Sequence, residues 1–142
     1  MEITAEQKKD IVKIAEKHGL KLVVLFGSRA VGEANEKSDY DIAILSGEKN
    51  IFDDIHRFSQ CLSEFAILFG TNEDKIDLTN FNKANILLRH EITSEGQLLF
   101  GDRNLFDEHA AFAFREFHDA RKLFELEDFL IRKRQHFLAQ NA

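Results

Sequence analysis

The spacing of apolar residues switches along the chain between helical and strand-like patterns. Residues 4–18 place apolar side chains among Lys and Glu at helical spacing, which predicts an amphipathic helix capped by Thr4 and ended by Gly19. Residues 20–26 and 40–45 are mostly apolar runs of strand length. The first third of the chain is therefore expected to form one helix followed by two buried strands.

The middle of the chain continues this alternation. Residues 51–69 are apolar at helical spacing, and residues 83–93 have a second helical pattern. Residues 75–81 and 97–100 have the length and composition of short strands. Strands that alternate with helices predict an α/β or α+β fold, in which a small mixed β-sheet is flanked by helices.

The last part of the chain predicts one long helix. Residues 105–140 contain no glycine or proline, and apolar residues recur every seven positions at Phe117, Phe124, Ile131 and Leu138. A continuous helix of this length is about 54 Å long, whereas a compact chain of this size has a diameter under about 40 Å. Either the helix breaks and packs on its own sheet, or part of its apolar stripe is a surface for a partner or a second copy.

We therefore divide the chain into a domain over residues 1–104 and a helical extension over residues 105–142. The extension either belongs to the same compact unit or is a partner-binding helix. A length of 142 residues with 44% hydrophobic residues is enough for one domain with a core.

Composition excludes several classes of protein. The 19 basic and 25 acidic residues give a net charge of −6, which disfavours direct binding to nucleic acid. Cys61 is the only cysteine, so we expect neither an intrachain disulfide nor a cysteine-based zinc site. We predict no signal peptide and no membrane span, and the cytoplasm is the expected compartment.

Candidate chemistry lies just after the first strand and at the start of the second. Asp39 and Asp41 are separated by one residue, so in a strand both carboxylates project from one face. Two carboxylates together with phosphate oxygens suit Mg²⁺. Gly27 and Ser28 follow the first strand, where backbone N–H groups and a hydroxyl can bind phosphate.

A third carboxylate follows from the strand predicted over residues 75–81. In that strand Asp77 and Thr79 share the face opposite Ile76 and Leu78. Other nucleotide and metal motifs do not fit. Gly27 is not followed by the Gly-Lys-Ser/Thr of a Walker loop, and the glycines do not match GxGxxG. An EF-hand is excluded because apolar residues 42–45 stand where its oxygen ligands belong.

With Gly27, Ser28, Asp39, Asp41 and Asp77 in this order, the chain resembles the minimal nucleotidyltransferases of the DNA polymerase β-like superfamily. The resemblance covers most of residues 20–100, including GSRA, SDYDIAIL, IDLTNF and NKANILLRHEITSEGQLLF. It implies a central mixed sheet with the active site on its face, ATP as the donor substrate and Mg²⁺ as the cofactor. Many such proteins are antitoxins encoded beside a HEPN-domain ribonuclease, which they silence by transferring AMP to it.

The resemblance also suggests a role for each residue of the motif. Asp39, Asp41 and Asp77 are expected to be catalytic and to ligate the metal, with Asp77 near the acceptor. Gly27, Ser28 and Arg29 are expected to bind the nucleotide. The family often has a basic residue after GSRA, whereas this chain has Val31, so neutralisation of phosphate would depend on Arg29, Lys37 and the metal.

Three functional hypotheses follow. The first is an antitoxin that transfers AMP from ATP to a hydroxyl side chain of a partner HEPN toxin. The second is an antitoxin that neutralises its partner by binding and occlusion through the long helix, without chemistry. The third is a nucleotidyltransferase that acts on a small molecule such as an aminoglycoside. Because such enzymes usually carry an additional substrate-binding domain, this chain leaves little room for the third.

Overall fold

A computed structural model of the chain describes residues 1–141 and has a four-stranded sheet with helices on both faces. The strands are β1 (Leu20–Phe26), β2 (Tyr40–Ser46), β3 (Ile76–Asn80) and β4 (Gln97–Gly101). The helices are α1 (Ala5–His18), α2 (Ser28–Val31), α3 (Ile55–Phe69), α4 (Ile86–Glu95) and α5 (Arg103–Gln140). Short 3₁₀ turns occupy Ile51–Asp53, Glu73–Lys75 and Phe81–Lys83. The predicted mixed sheet flanked by helices is confirmed.

The sheet is mixed because one strand runs against the other three. The strand order is β3-β2-β1-β4, with β1 antiparallel to both β2 and β4 and β2 parallel to β3. The start of β2 and the start of β3 therefore meet at the same end of the sheet, next to the end of β1. Asp41 pairs with Phe26 on one side and with Asp77 on the other.

Two hydrophobic cores cover the two faces of the sheet. Val23, Leu25, Ile42 and Ile44 contribute to the core under α1 and α3, which also contains the buried Cys61. The alternate positions contribute to the other core, under α4 and the start of α5; they are Leu22, Val24, Phe26, Ala43 and Leu45. Burial on both faces explains why these central strands are apolar almost without interruption.

Side-chain caps set the helix boundaries more finely than apolar spacing does. Thr4 and Gln7 form the capping box of α1, as the sequence predicts for Thr4. The single helix predicted over residues 51–69 is wrong at its start, because Asp54 accepts hydrogen bonds from the N–H groups of His56 and Arg57 and begins α3 anew. The α4 helix starts at Ile86 because Asn85 caps it.

Helix α5 is continuous over 38 residues and leaves the rest of the molecule part-way along. Phe106 and Ala113 are buried in its first half. Further along, Glu116 forms a 2.6 Å ion pair with Arg89 of α4, and Phe117 stacks on His90. All residues from 121 to 141 are exposed. In residues 1–141 no helix is both long and apolar enough to cross a membrane.

Candidate active site

Two of the three predicted carboxylates, those of Asp41 and Asp77, lie side by side where β2 and β3 begin. Asp41 and Asp77 are paired positions on these parallel strands, so their side chains project side by side from one face. This is the face that carries α4, because Ala43, two residues after Asp41, is buried against that helix's core. Asp39 lies two residues before Asp41, just outside β2, and is more than half exposed.

Gly27 brings the backbone directly against the Asp41 carboxylate. Its φ of 75° and ψ of −157° lie in a region that is essentially restricted to glycine. A Cβ built on Gly27 would overlap Asp41 Oδ2. Ser28 follows at the first turn of the short α2 and is partly exposed. Gly27 and Ser28 therefore border the acidic site, and the close approach explains why a glycine stands at this position.

Several negatively charged carboxylates lie close enough to Asp41 to raise its pKa. Burial raises the pKa of Asp41 to about 6, with further contributions from the charges of Asp77, Asp39 and Glu91 in that order. Glu91 lies on α4, which the sequence analysis did not connect to the site. A cation bound among these groups would remove the repulsion that raises this pKa.

Arg29 directs two nitrogens of its guanidinium group at the backbone of the protein. Its Nε and Nη2 donate to the carbonyl oxygen of Ser38 at 3.1 and 2.8 Å, and Nη2 also donates to that of Asn35 at 3.2 Å. The guanidinium carbon also lies 3.9 Å from the centre of the Tyr40 ring. These contacts fix the loop that leads into Asp39. The predicted contact of Arg29 with phosphate stays a prediction.

Lys75 is a second basic residue at the site, and the sequence analysis did not single it out. Its Nζ donates to the carbonyl oxygen of Lys37 at 3.2 Å and lies 4.0 Å from Asp39 Oδ1. Lys75 precedes Asp77 by two residues, the spacing that separates Asp39 from Asp41. That shared spacing could have predicted that Lys75 lies near Asp39, but only if β2 and β3 were known to be parallel neighbours in this register.

The donor set fits a hard divalent cation. Asp41 and Asp77 present carboxylate oxygens from adjacent strand positions, and oxygen ligands of this kind suit Mg²⁺. In residues 1–141, however, no three His, Cys, Asp or Glu side chains are arranged to hold a metal ion. Asp39, the third predicted ligand, lies next to Lys75 instead.

The sequence of the chain matches a known protein family over the region that contains the site. The model of the family described as "Polymerase beta, Nucleotidyltransferase" matches residues 9–104, which include β1 to β4 and every predicted site residue. The chain belongs to this nucleotidyltransferase family. Membership confirms the polymerase β-like fold class predicted from the Gly27, Ser28 and aspartate motifs.

Curated relatives with related sequences are named for one activity. The protein adenylyltransferase MntA of Aphanizomenon flos-aquae (strain 2012/KM1/D3) is 36% identical over 87 residues, which span 57% of this chain and 57% of that protein. The provisionally named protein adenylyltransferase MJ0435 of Methanocaldococcus jannaschii is 34% identical over 90 residues, which span 63% of this chain and 90% of that protein. The nucleotidyltransferase chain thus matches little more than half the length of the first relative.

Solved structures match the fold over a larger part of the chain. A toxin-antitoxin crystal structure with AMP-PNP has a TM-score of 0.66 at 23% identity, covering 87% of this chain and 98% of that chain. A complex of the tri-AMPylated HEPN toxin of Shewanella oneidensis with its MNT antitoxin has a TM-score of 0.61 at 19% identity, covering 88% and 97%. At these identities the matches establish a shared fold.

Proposed function

We propose that this nucleotidyltransferase is an antitoxin that transfers AMP from ATP to a hydroxyl side chain of a partner HEPN ribonuclease toxin. The observation that carries the proposal is the juxtaposition of Asp41 and Asp77 beside the Gly27 backbone in a nucleotidyltransferase domain. The acceptor class rests on the adenylyltransferase relatives and on the fold shared with MNT antitoxins. Such chemistry requires ATP, and we place the protein in the cytoplasm.

In the proposed reaction the acceptor oxygen attacks the α-phosphorus of ATP. A bond forms between that oxygen and phosphorus, the bond from the α-phosphorus to the bridging oxygen breaks, and pyrophosphate leaves. Asp77 accepts the proton of the hydroxyl as general base. Asp39, Asp41 and Asp77 would hold Mg²⁺, which when bound supplies neutralisation of the carboxylate and phosphate charges.

The remaining site residues have supporting roles in this proposal. Ser28 offers a hydroxyl, and the backbone around Gly27 offers N–H groups, to the terminal phosphates. The hydrogen bonds of Arg29 to Ser38 and Asn35 favour a role in positioning the loop before Asp39 over direct contact with phosphate. The absence of a side chain at Gly27 lets its backbone lie directly against the Asp41 carboxylate, so both groups border the proposed nucleotide site.

A second candidate function is neutralisation by binding alone. The observation that favours it is the exposed second half of α5, in which large apolar side chains face solvent; they are Leu123, Phe124, Leu126, Phe129, Leu130, Ile131, Phe137 and Leu138. Most helical stability in proteins comes from packing of an apolar face, and large exposed apolar patches mark interaction sites, so this uncovered apolar surface is suited to a protein partner. We propose that residues 1–120 form the compact unit and that residues 121–141 extend from it to bind the toxin.

The experiment combines labelled ATP, Mg²⁺ and the toxin with wild-type protein or the Asp39→Asn/Asp41→Asn variant. We expect label on the toxin with wild type and at least a hundredfold less with the variant, because both substitutions remove carboxylates that face the metal. Asp53→Asn is the control, since this exposed carboxylate lies beside Ile51 of the core on the other face of the sheet.

The two candidates make different predictions in cells. If transfer is the function, the double variant fails to protect cells that express the toxin. If that variant still protects while removal of residues 121–142 abolishes protection, binding is the function. Absence of label transfer by the wild-type protein would overturn the adenylyltransferase proposal.

A further inference from the structure

Lys75 lies beside the acidic site, where its ammonium group contacts both the backbone and Asp39. Its neighbours are the Lys37 carbonyl at 3.2 Å and Asp39 Oδ1 at 4.0 Å, and in the register of β2 and β3 it lies level with Asp39. About a third of the Lys75 side chain and more than half of the Asp39 side chain are exposed. An exposed ion pair of this length contributes roughly 0 to 1 kcal/mol, so the ammonium group is free to exchange partners.

Arg29, another basic residue of the site, does not offer the same freedom. Arg29 would have to give up three hydrogen bonds and its contact with the Tyr40 ring. Lys37 is exposed, and its carbonyl oxygen accepts a hydrogen bond from Lys75. Lys75 is therefore a basic side chain whose ammonium group already lies beside Asp39 and can reach a new anion by breaking only weak contacts.

Asp39 has two roles that exclude one another. It is the predicted third metal ligand, yet it lies beside Lys75, and within residues 1–141 no three carboxylate, imidazole or thiolate groups are arranged to hold a metal. Convergence of Asp39 with Asp41 and Asp77 on a cation would place a second positive charge near the Lys75 ammonium. Repulsion between the two cations would then favour a position of Lys75 farther from Asp39.

Resting on the proposed function, we propose that Lys75 exchanges partners when nucleotide binds. In the free protein it neutralises Asp39; with metal and nucleotide present it leaves Asp39 and donates to a phosphate oxygen. It is thus a nucleotide-binding residue that supplies the positive charge missing at Val31. A residue that merely fixed the loop would make the same contacts in both states.

The test measures binding of two probes to the full chain by titration calorimetry. The first probe is Mn²⁺ alone. The second is α,β-methylene-ATP with Mg²⁺, whose methylene bridge replaces the bond broken in AMP transfer. For Lys75→Gln we expect Mn²⁺ to bind about two- to fivefold more tightly, because the ammonium no longer competes for Asp39. The nucleotide should bind about tenfold more weakly, because a charge-assisted hydrogen bond is lost.

Two further variants make the result specific. Lys75→Arg retains the charge and should bind the nucleotide within about threefold of wild type. Lys83→Gln removes an exposed lysine just beyond the other end of β3 and should change neither affinity. Thermal unfolding of each variant verifies that it is folded.

Opposite changes with the two probes support the proposal. If Lys75→Gln weakens binding of both probes, Lys75 is a loop brace and the proposal is overturned; unchanged nucleotide affinity overturns it as well. Failure of the proposed function gives a different result, because the wild-type chain would then transfer no label to the toxin, whereas failure of the present proposal leaves transfer by the wild type intact.

Discussion

Asp41 has the most constrained position among the site residues. Its carboxylate lies against the Gly27 backbone, beside Asp77 on the next strand. Burial and the neighbouring carboxylates raise its pKa to about 6. The cation-free fold therefore bears an electrostatic cost at neutral pH, which binding of a cation would offset.

Replacing Asp41 by Asn should stabilise the metal-free protein at high pH. Folding raises the pKa of the Asp41 carboxyl group from 3.8 to about 6. The folded state therefore has its full stability below pH 3.8, where this group is protonated in both states, and it loses stability as the pH rises through 6. With EDTA present, Asp41→Asn should gain about 1 kcal/mol over wild type at pH 8, a value reduced for the partial exposure of the site. Urea unfolding between pH 4 and pH 8 measures the difference, which should vanish near pH 4.

Two controls accompany this pH series. Asp53→Asn, on the other face of the sheet, removes an exposed carboxylate away from the acidic site and should not reproduce the gain of Asp41→Asn. Added Mg²⁺ should stabilise wild type and leave Asp41→Asn nearly unchanged. A gain that persists at pH 4 would contradict the electrostatic explanation.

Gly27→Ala should damage the site beyond its effect on stability. The substitution places a Cβ into Asp41 Oδ2 and forces alanine into a backbone region that costs about 1 to 3 kcal/mol. Gly32→Ala is a matched control, because Gly32 also has a positive φ, of 79°, but has nothing within 4 Å of an added Cβ. We expect both variants to lose stability, and only Gly27→Ala to lose at least tenfold in AMP transfer. Equal loss of transfer in both would show that strain alone accounts for the effect.

Local pattern could predict the strand faces of Asp41 and Asp77, but it did not reveal that Asp39 lies just outside β2 beside Lys75. Asp39, Asp41 and Asp77 were assigned to strand faces because side chains alternate along a strand. Whether β2 and β3 are neighbours, and parallel, depends on how the whole chain packs. Lys75 could be matched with Asp39 only once that pairing was known, and Glu91 could be linked to Asp41 only once α4 was placed on the sheet.

At the scale of elements, apolar spacing predicted which segments form helices and strands and missed some of their ends. All four strands lie where they were predicted, to within a residue at each end. The helix predicted from residue 51 fails because Asp54 offers its carboxylate to two N–H groups, a local competition that apolar spacing does not reveal. The predicted start of α4 at residue 83 was early for a similar reason, since Asn85 caps the helix.

Helix α4 separates two functional regions of the proposed antitoxin. Glu91, in its second half, contributes to the field at Asp41. Ile86 and Leu87, at its start, line an apolar groove together with Phe117 and Phe124 of α5. The groove continues into the exposed half of α5, so the proposed docking surface and the acidic site lie towards opposite ends of α4. A toxin bound along α5 must therefore present its acceptor hydroxyl on a segment that reaches past α4 to Asp77.

At the scale of the whole molecule, docking and chemistry should therefore be separable by mutation. Ile131→Lys/Leu138→Lys places two charges on the apolar stripe, far along the exposed half of α5. If both side chains are buried by the toxin, removing them costs about 3 kcal/mol or more, which weakens the complex at least a hundredfold. Nucleotide affinity and thermal stability should stay at wild-type values, because neither residue contacts the compact unit.

The control His136→Lys/Gln140→Lys also adds two lysines to α5, but on the side of the helix opposite the seven-residue stripe. It should bind the toxin as wild type does. Calorimetry measures toxin affinity, and labelled ATP measures AMP transfer at toxin concentrations below and above the dissociation constant. We expect transfer by the stripe variant to recover as the toxin concentration rises, because the aspartates are intact. If transfer by the stripe variant stays low at saturating toxin, α5 also orients the acceptor at Asp77. If the stripe variant binds the toxin with unaltered affinity, the stripe is excluded as the docking surface.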